Sequence, residues 1–277
     1  MFSSVIYSSK QTMRQRIIGI MSAMPEEIEG LTELIENRKS TVIGMRTYFE
    51  GSINGIRVVL VFSRWGKVAA ATTATTLLHL FSVTELVFTG VAGAIQGKLN
   101  IGDIVLGTHF IQHDMDARPF IKRYELPLLN MSFIASPEDK IDLATSAVQN
   151  LLDQNYLHQL LGEKALDEFG IIQPKLFAGF IASGDKFVST DAERNDLLMN
   201  LPAILCVEME GAAVAQVCYE NGIPFIIFRV ISDKANDNAE NDFTQFVKHV
   251  ASRYSFEFID NLFKILSTEN SLETSNG

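Results

Sequence analysis

Cysteine is scarce in this chain of 277 residues, with only Cys206 and Cys218. Their spacing fits no metal-ligand or redox motif, so two buried free thiols are expected. Histidine is thin as well: His79, His109, His113, His158 and His249 fall in no HExxH-like pattern, and no metal site is read from them. No apolar run approaches the roughly 18 residues that cross a bilayer. The first fifteen residues are polar and lack the apolar stretch of a signal peptide. A cytoplasmic protein with no membrane partner is therefore expected. Basic side chains are in deficit, with 23 Lys and Arg against 33 Asp and Glu and a formal net charge of -10. That balance repels phosphate backbones and argues against a nucleic-acid partner. A small-molecule substrate, even an anionic one, stays open, because a cavity can be locally positive.

What is present is an ordinary globular composition, 47% hydrophobic and 20% charged, with enough length to bury a sizeable core. Arg16–Met21 reads as a buried strand, and a helix follows over Glu26–Ile35. Thr47–Ile53 and Ile56–Phe62 flank Asn54-Gly55, a hairpin signal because both residues tolerate positive φ. Lys67–Leu80 suits a helix whose small residues lie against a sheet. Glu85–Thr89 reads as a strand ending in a glycine-containing turn, Gly90–Ala94, and Asp103–Gly107 as another strand. Residues 114–135 show no period and read as a long functional loop.

Pro137–Leu152 is helical, with a second helix running to Phe169. Leu176–Ala182 is a strand, and Thr190–Met199 a helix capped by Thr190 or Ser189. Ile204–Val207 and Pro224–Ile231 are strands around a helix over Gly211–Asn221, which stops at Gly222. The last helix starts near Asn241, with Phe243, Val247, Val250, Tyr254, Phe258 and Leu262 as its core-facing stripe. Strands alternating with helices, with no repeat or linker, predict one α/β domain over residues 16–266, a mixed sheet with helices outside. Residues 1–15 are expected to form a flexible N-terminal extension, with Met13 as an alternative start. The polar residues 267–277 are expected to form a disordered tail.

Ligands of α/β sheets bind beyond the carboxyl ends of the strands, so polar residues that directly follow apolar runs are the candidates. Five places qualify. Ser22-Ala23-Met24-Pro25-Glu26-Glu27 follows the first strand, although carboxylates in a helix first turn are explained by the dipole alone. Arg64-Trp65-Gly66-Lys67 follows IRVVLVF, where an Arg and the chain's only Trp suit an anion or a ligand ring. Gly90 and Gly93 let backbone approach a ligand closely, although a tight turn needs them equally. Glu208 and Glu210 fall on one side of an extended segment between an apolar strand and an apolar helix, where charge is costly unless bound to something. Arg229 lies inside a strand and needs a partner, Glu210 or Glu208. Asp233 closes that strand, where it could also cap the next turn.

Taken in order, IGIMSAMPEEI, SRWGKVAAA, FTGVAGA with GDIVLG, SGDKF, VEMEGAAVAQVC and RVISD resemble the bacterial 5′-methylthioadenosine/S-adenosylhomocysteine nucleosidases of the purine nucleoside phosphorylase superfamily. The resemblance spans Ile17 to Leu266. It implies a nucleoside phosphorylase-like domain whose mixed sheet curls toward a barrel, a homodimer, and hydrolysis of an N-glycosidic bond without metal or cofactor. It implies that Glu27 activates the attacking water, Glu210 binds the ribose hydroxyls and Asp233 protonates adenine N7. Ser232 would support Asp233, and Arg229 would neighbour the ribose-binding Glu. Phe187 would stack on adenine and the Val188 backbone would read its edge. Met209, Met24 and Phe243 would wall the ribose and the 5′ group, and Glu208 would be a second ribose-side carboxylate. Arg64 stands where many members carry a glycine beside the water, so a cation could attract phosphate there. Phe120 and Pro127 are candidates for contact with a partner subunit. The Leu152–Pro174 stretch is longer than usual.

The implied chemistry accounts for the residue types. Adenine leaves poorly as an anion, so an acid at N7 is needed, and a buried Asp233 carrying its proton near neutrality would serve. A carboxylate held against the hydroxyls stabilises the oxocarbenium ion that forms. Three other readings stay open. A phosphorolytic purine nucleoside phosphorylase would need a basic cradle where this chain has Pro25-Glu26-Glu27. A hydrolase of another adenine nucleoside, such as aminodeoxyfutalosine, would use the same three acids. A non-catalytic nucleoside-binding protein would have lost one of them, and all three are present.

Overall fold

The computed structural model describes residues 15–235, 243 and 245–275. The side chains of Glu27, Glu29 and residues 270–275 lie outside that description. So do the start expected near Asn241 and all but Gln15 of the expected N-terminal extension.

Strand β1 (Ile17–Ser22) is buried at every position, which is why it reads as a continuous apolar run rather than an alternation. It pairs in parallel with β4 (Ile56–Phe62) and β5 (Glu85–Thr89). Between β1 and the first hairpin runs helix α1 (Pro25–Glu33), with proline in its first turn. β3 (Arg46–Ile53) returns against β4 through Asn54 at φ 48° and Gly55 at φ 77°, the twist-matched turn that the Asn-Gly pair predicts. Outside β3 lies β2 (Glu36–Ile43), where sequence patterning finds no strand. Its sequence, ENRKSTVI, is exposed almost throughout. An edge strand with no buried face shows no apolar alternation, and its charges discourage pairing with another chain.

Helix α2 (Lys67–Leu80) precedes β5, and β6 (Val91–Ala94) follows it. The expected glycine turn at Gly90–Ala94 is thus corrected: four small buried residues pair as a strand, a run too short to show a period. Next come β7 (Ile104–Gln112), β8 (Ile134–Ala135), α3 (Glu138–Ala147) and a 3₁₀ turn over Gln149–Leu152. The single helix expected up to Phe169 is two, α4 (Gln154–Leu161) and α5 (Glu163–Phe169), broken at Gly162. β9 (Leu176–Ser183), α6 (Asp191–Asn200), β10 (Ile204–Glu208), α7 (Gly211–Asn221) and β11 (Phe225–Asp233) complete the alternation. Thr190 caps α6 by accepting the Glu193 amide.

β11 is the hub of the sheet. Phe225–Ile227 pair with β5, Phe228–Val230 with β7, and Val230–Asp233 with β6. Since β6 also pairs with β10, β10 with β9 and β9 with β7, the five strands β11, β6, β10, β9 and β7 close into a ring. The expected mixed sheet curling toward a barrel is this structure.

A π-helical turn over Val247–Ala251 leads into α8 (Ser252–Ser275). Val247, Val250, Tyr254, Phe258 and Leu262 are buried, as their spacing predicts, and Phe258 stacks on Phe228 of β11 at 4.3 Å. The helical backbone continues past Leu266, the last buried residue among those described, into the polar stretch for which composition predicts disorder. Local bonds accompany it there, with Ser267 and Thr268 hydroxyls donating to the Lys264 carbonyl. Among the described residues no helix is long and apolar enough to cross a membrane, and no cluster of His, Cys, Asp and Glu could hold a metal.

Candidate active site

The carboxyl ends of β1, β4, β9, β10 and β11, together with β6, surround a cavity of 440 Å³. Ala23 and Met24 line it from the loop after β1, Trp65 from the turn after β4, and Val91, Ala92 and Gly93 from β6. Lys186, Phe187 and Val188 line it from the loop after β9. Val207 through Glu210 and Ser232-Asp233 complete it from β10 and β11, and Phe243 from the chain before α8.

Asp233 is 2% exposed at the end of β11. The Ser232 hydroxyl donates to its Oδ2 at 2.7 Å and the Ala235 amide to its Oδ1 at 2.7 Å, which fixes the plane of the carboxyl. Gly93 faces it: a Cβ at that position would stand 2.8 Å from Asp233 Oδ1.

Glu210 occupies the N-cap position of α7 and is 4% exposed. The Gly66 amide donates to its Oε1 at 2.8 Å. Burial, then the charge of Glu208, push its carboxyl up to about 8, against the opposing pull of Arg229 and the Gly66 and Met209 amides.

Glu208 is in a different situation. Arg229 donates to its Oε2 at 2.8 Å, the Gly211 amide reaches both oxygens, the Glu210 amide reaches Oε2, and the Ser183 hydroxyl binds Oε1. Glu208 lines the cavity wall, yet protein donors engage both of its oxygens. Arg229 pairs with it rather than with Glu210 and is wholly buried, 4.2 Å over the Phe88 ring, giving further hydrogen bonds to the Phe88 and Phe228 carbonyls. Its expected place among the substrate contacts is corrected: a wholly buried strand-interior side chain whose guanidinium donates to Glu208 and to two backbone carbonyls lies behind the wall, not in the cavity.

Phe187 is 39% exposed and meets Phe243 edge-on at 5.7 Å, so two aromatic faces border the opening. The Trp65 indole N–H donates to the Ala23 carbonyl at 2.9 Å, tying the turn after β4 to the loop after β1. Glu27 lies in the first turns of α1, three residues beyond Met24; its side chain is outside the described residues. Arg64 does not line the cavity. Its guanidinium donates to the Met45 carbonyl at 2.6 Å, so the expectation of a cation beside the water is corrected. Phe120, 90% exposed, and Pro127 lie on the outside of the long loop. The walls Ala23, Ala92 and Val207 fall inside strand-end stretches that the sequence marks, although none of them is assigned a role there. Lys186 follows a strand end in SGDKF, and it ion-pairs with Glu193.

Residues 17–262 match the model of the phosphorylase superfamily. A 5′-methylthioadenosine/S-adenosylhomocysteine nucleosidase of Staphylococcus carnosus is 36% identical over 251 residues, 90% of this chain and all of that one. The chain belongs to this nucleosidase family. The membership accounts for the ringed sheet and for acids gathered at its strand ends. The corresponding protein of Psychromonas ingrahamii is 35% identical over 88% of this chain and 99% of its own length. Among solved structures, the nucleosidase of Neisseria meningitidis in complex with methylthio-immucillin-A has a TM-score of 0.76 at 30% identity, covering 90% of this chain and 99% of that one. A futalosine hydrolase of Helicobacter pylori has a TM-score of 0.76 at 29% identity, covering 90% and 98%.

Proposed function

We propose that the chain hydrolyses the N-glycosidic bond of 5′-methylthioadenosine and S-adenosylhomocysteine, releasing adenine and the 5-thioribose product. One observation carries the reading. Two acids buried for different reasons, Glu210 and Asp233, share a single apolar cavity with an aromatic face, Phe187.

Asp233, oriented by Ser232, gives its proton to adenine N7 as the bond stretches. Glu210 takes the ribose hydroxyls and its negative charge offsets the oxocarbenium ion. Burial and the Glu208 charge raise the Glu210 carboxyl, whereas a positive charge developing on the sugar would favour its ionised form. Glu27, on the separate loop after β1, activates the water. Phe187 stacks on the base, the Val188 backbone reads its edge, and Gly93 lets β6 approach it. Trp65, Met24, Met209 and Phe243 enclose the sugar and the 5′ group. Glu208, on the ribose side of the wall, and Arg229 behind it hold the β10–α7 junction.

Water rather than phosphate is the acceptor in this reading. Lys186 is the one basic side chain among the described lining residues, and it is paired with Glu193. Arg64 is turned away. The protein works in the cytoplasm as a homodimer, with a role in methionine salvage. A second reading, hydrolysis of an adenine nucleoside with another 5′ substituent, draws on the futalosine hydrolase likeness.

The test is adenine release from methylthioadenosine, S-adenosylhomocysteine and adenosine, each with and without phosphate. Release that ignores phosphate is expected. Strict phosphate dependence with a ribose 1-phosphate product would make the chain a phosphorylase. Binding without turnover would make it a binding protein.

A further inference from the structure

Two segments that carry wall residues, the turn after β4 and the loop after β9, are tied together through the long loop after β7 by side chains that stay out of the cavity. Lys67 Nζ donates to Asp114 Oδ1 at 2.6 Å and to Gln112 Oε1 at 3.1 Å. The Asp185 amide donates to Asp114 Oδ2 at 2.9 Å. The Lys67 amide, first in α2, donates to Asp185 Oδ1 at 2.7 Å. These bonds close a ring of three residues taken from the turn after β4, the start of the long loop after β7 and the loop after β9. Burial works against the Asp114 charge, but the Lys67 ammonium and the Asp185 amide outweigh it and hold the carboxyl below its ordinary value. With side-chain exposures of 16% and 33%, the Lys67–Asp114 pair is partly shielded from water, unlike an open surface pair.

What the ring holds gives it a role. The Gly66 amide, next to Lys67, is the one that donates to Glu210 Oε1. Phe187 and Val188 follow Asp185 within three residues and line the cavity. We infer that Lys67, Asp114 and Asp185 form a positioning ring that sets the Glu210 carboxyl and the Phe187 face in fixed relation, so that sugar and base are held in one pose. The inference rests on the nucleosidase reading. None of the three lines the cavity, so they act through Glu210 and Phe187 rather than on substrate.

A ring behaves as a unit: opening it at one member leaves little for a second opening to remove. The experiment uses the full chain with Asp114→Ala, Asp185→Ala, the double variant, Asp114→Asn and Asp185→Asn. Two quantities are read: steady-state adenine release from methylthioadenosine, and adenine affinity from the emission of Trp65, the only tryptophan and the residue before Gly66. Each alanine variant is expected to lower kcat/KM roughly 10- to 100-fold, with kcat falling and KM rising, and to weaken adenine binding. The double variant should lose no more than about threefold beyond the worse single one. Asp185→Asn keeps an acceptor for the Lys67 amide and should recover most of the loss. Asp114→Asn cannot accept at both oxygens and should not; it also answers the question if Asp114→Ala fails to fold.

Unchanged kinetics in the alanine variants, independent multiplying losses, or equal failure of Asp185→Asn and Asp185→Ala would each overturn the ring. If the unaltered chain releases no adenine, the nucleosidase reading fails by itself. The affinity measurement then still decides, because adenine binding that does not depend on Asp114 would overturn the ring on its own.

Discussion

Glu210 shows how a single buried acid can be set against the stability of its own fold. Its carboxyl is pushed up to about 8, from an ordinary 4.5, so the folded chain holds a proton that the unfolded chain releases. Stability therefore falls as pH rises between those two values, each unit costing up to about 1.4 kcal/mol, and the penalty is complete above the higher one. Glu210→Gln cannot ionise and keeps an acceptor for the Gly66 amide. Its melting temperature should exceed that of the unaltered chain by a margin that grows from about pH 5 to about pH 8, while turnover is lost. A margin that is flat with pH would mean that Glu210 is ionised in the empty site. Gly93 gives a second residue-scale prediction. A methyl group there would meet Asp233 Oδ1 at 2.8 Å and Ala235 Cβ at 3.0 Å, so Gly93→Ala must displace the acid. A loss on the order of 10²-fold in kcat/KM is expected with the circular dichroism spectrum unchanged; full activity would show that the placement of this carboxyl is not critical. At this scale the sequence was informative, because charged residues at the ends of apolar runs are conspicuous. What it concealed is direction: Glu208 and Glu210 look equivalent two positions apart, yet the backbone bends into α7 between them and commits Glu208 to protein donors.

Between elements, β10 and β11 are cross-braced by one buried ion pair, Glu208 with Arg229. Arg229→Met would leave Glu208 buried beside Glu210 with its counter-charge gone, at a cost of about 3–5 kcal/mol. Adding Glu208→Gln should restore part of that loss, and urea unfolding of the two variants measures both steps. Equal instability of the single and double variants would show that packing, not charge, is what Arg229 supplies. The elements legible in the sequence are those with a buried face and a chemical stop, such as α7, whose apolar run ends at Gly222 in the left-handed conformation. β2 was illegible because its residues face water, and β6 because four small residues carry no period. The break between α4 and α5 shows how a glycine inside a helical pattern can be read as tolerated when the chain uses it to turn.

Across the whole molecule, the ring of strands needs a fixed hub, and α8 supplies it from outside. Phe228 is wholly buried in β11, five residues before Asp233, and Phe258 of α8 stacks on it with an interplanar angle of 6°. Phe258→Ala would open a cavity against the strand that carries the acid and should cost about 3–5 kcal/mol in chemical unfolding. Because the cavity lies five residues before Asp233, on the side of β11 that faces α8, KM should change little at temperatures where the variant is folded. Removing residues 267–277 is the matching control. Among the described residues the last buried apolar side chain is Leu266, so the shortened chain gives up helical backbone but no described core. Its melting temperature should stay within about 2 °C of the full chain, since a change of 1 kcal/mol moves a domain of this size by only about 2–4 °C. A larger fall, without loss of adenine release, would mean that the polar end of α8 bears on the fold through contacts its composition does not suggest.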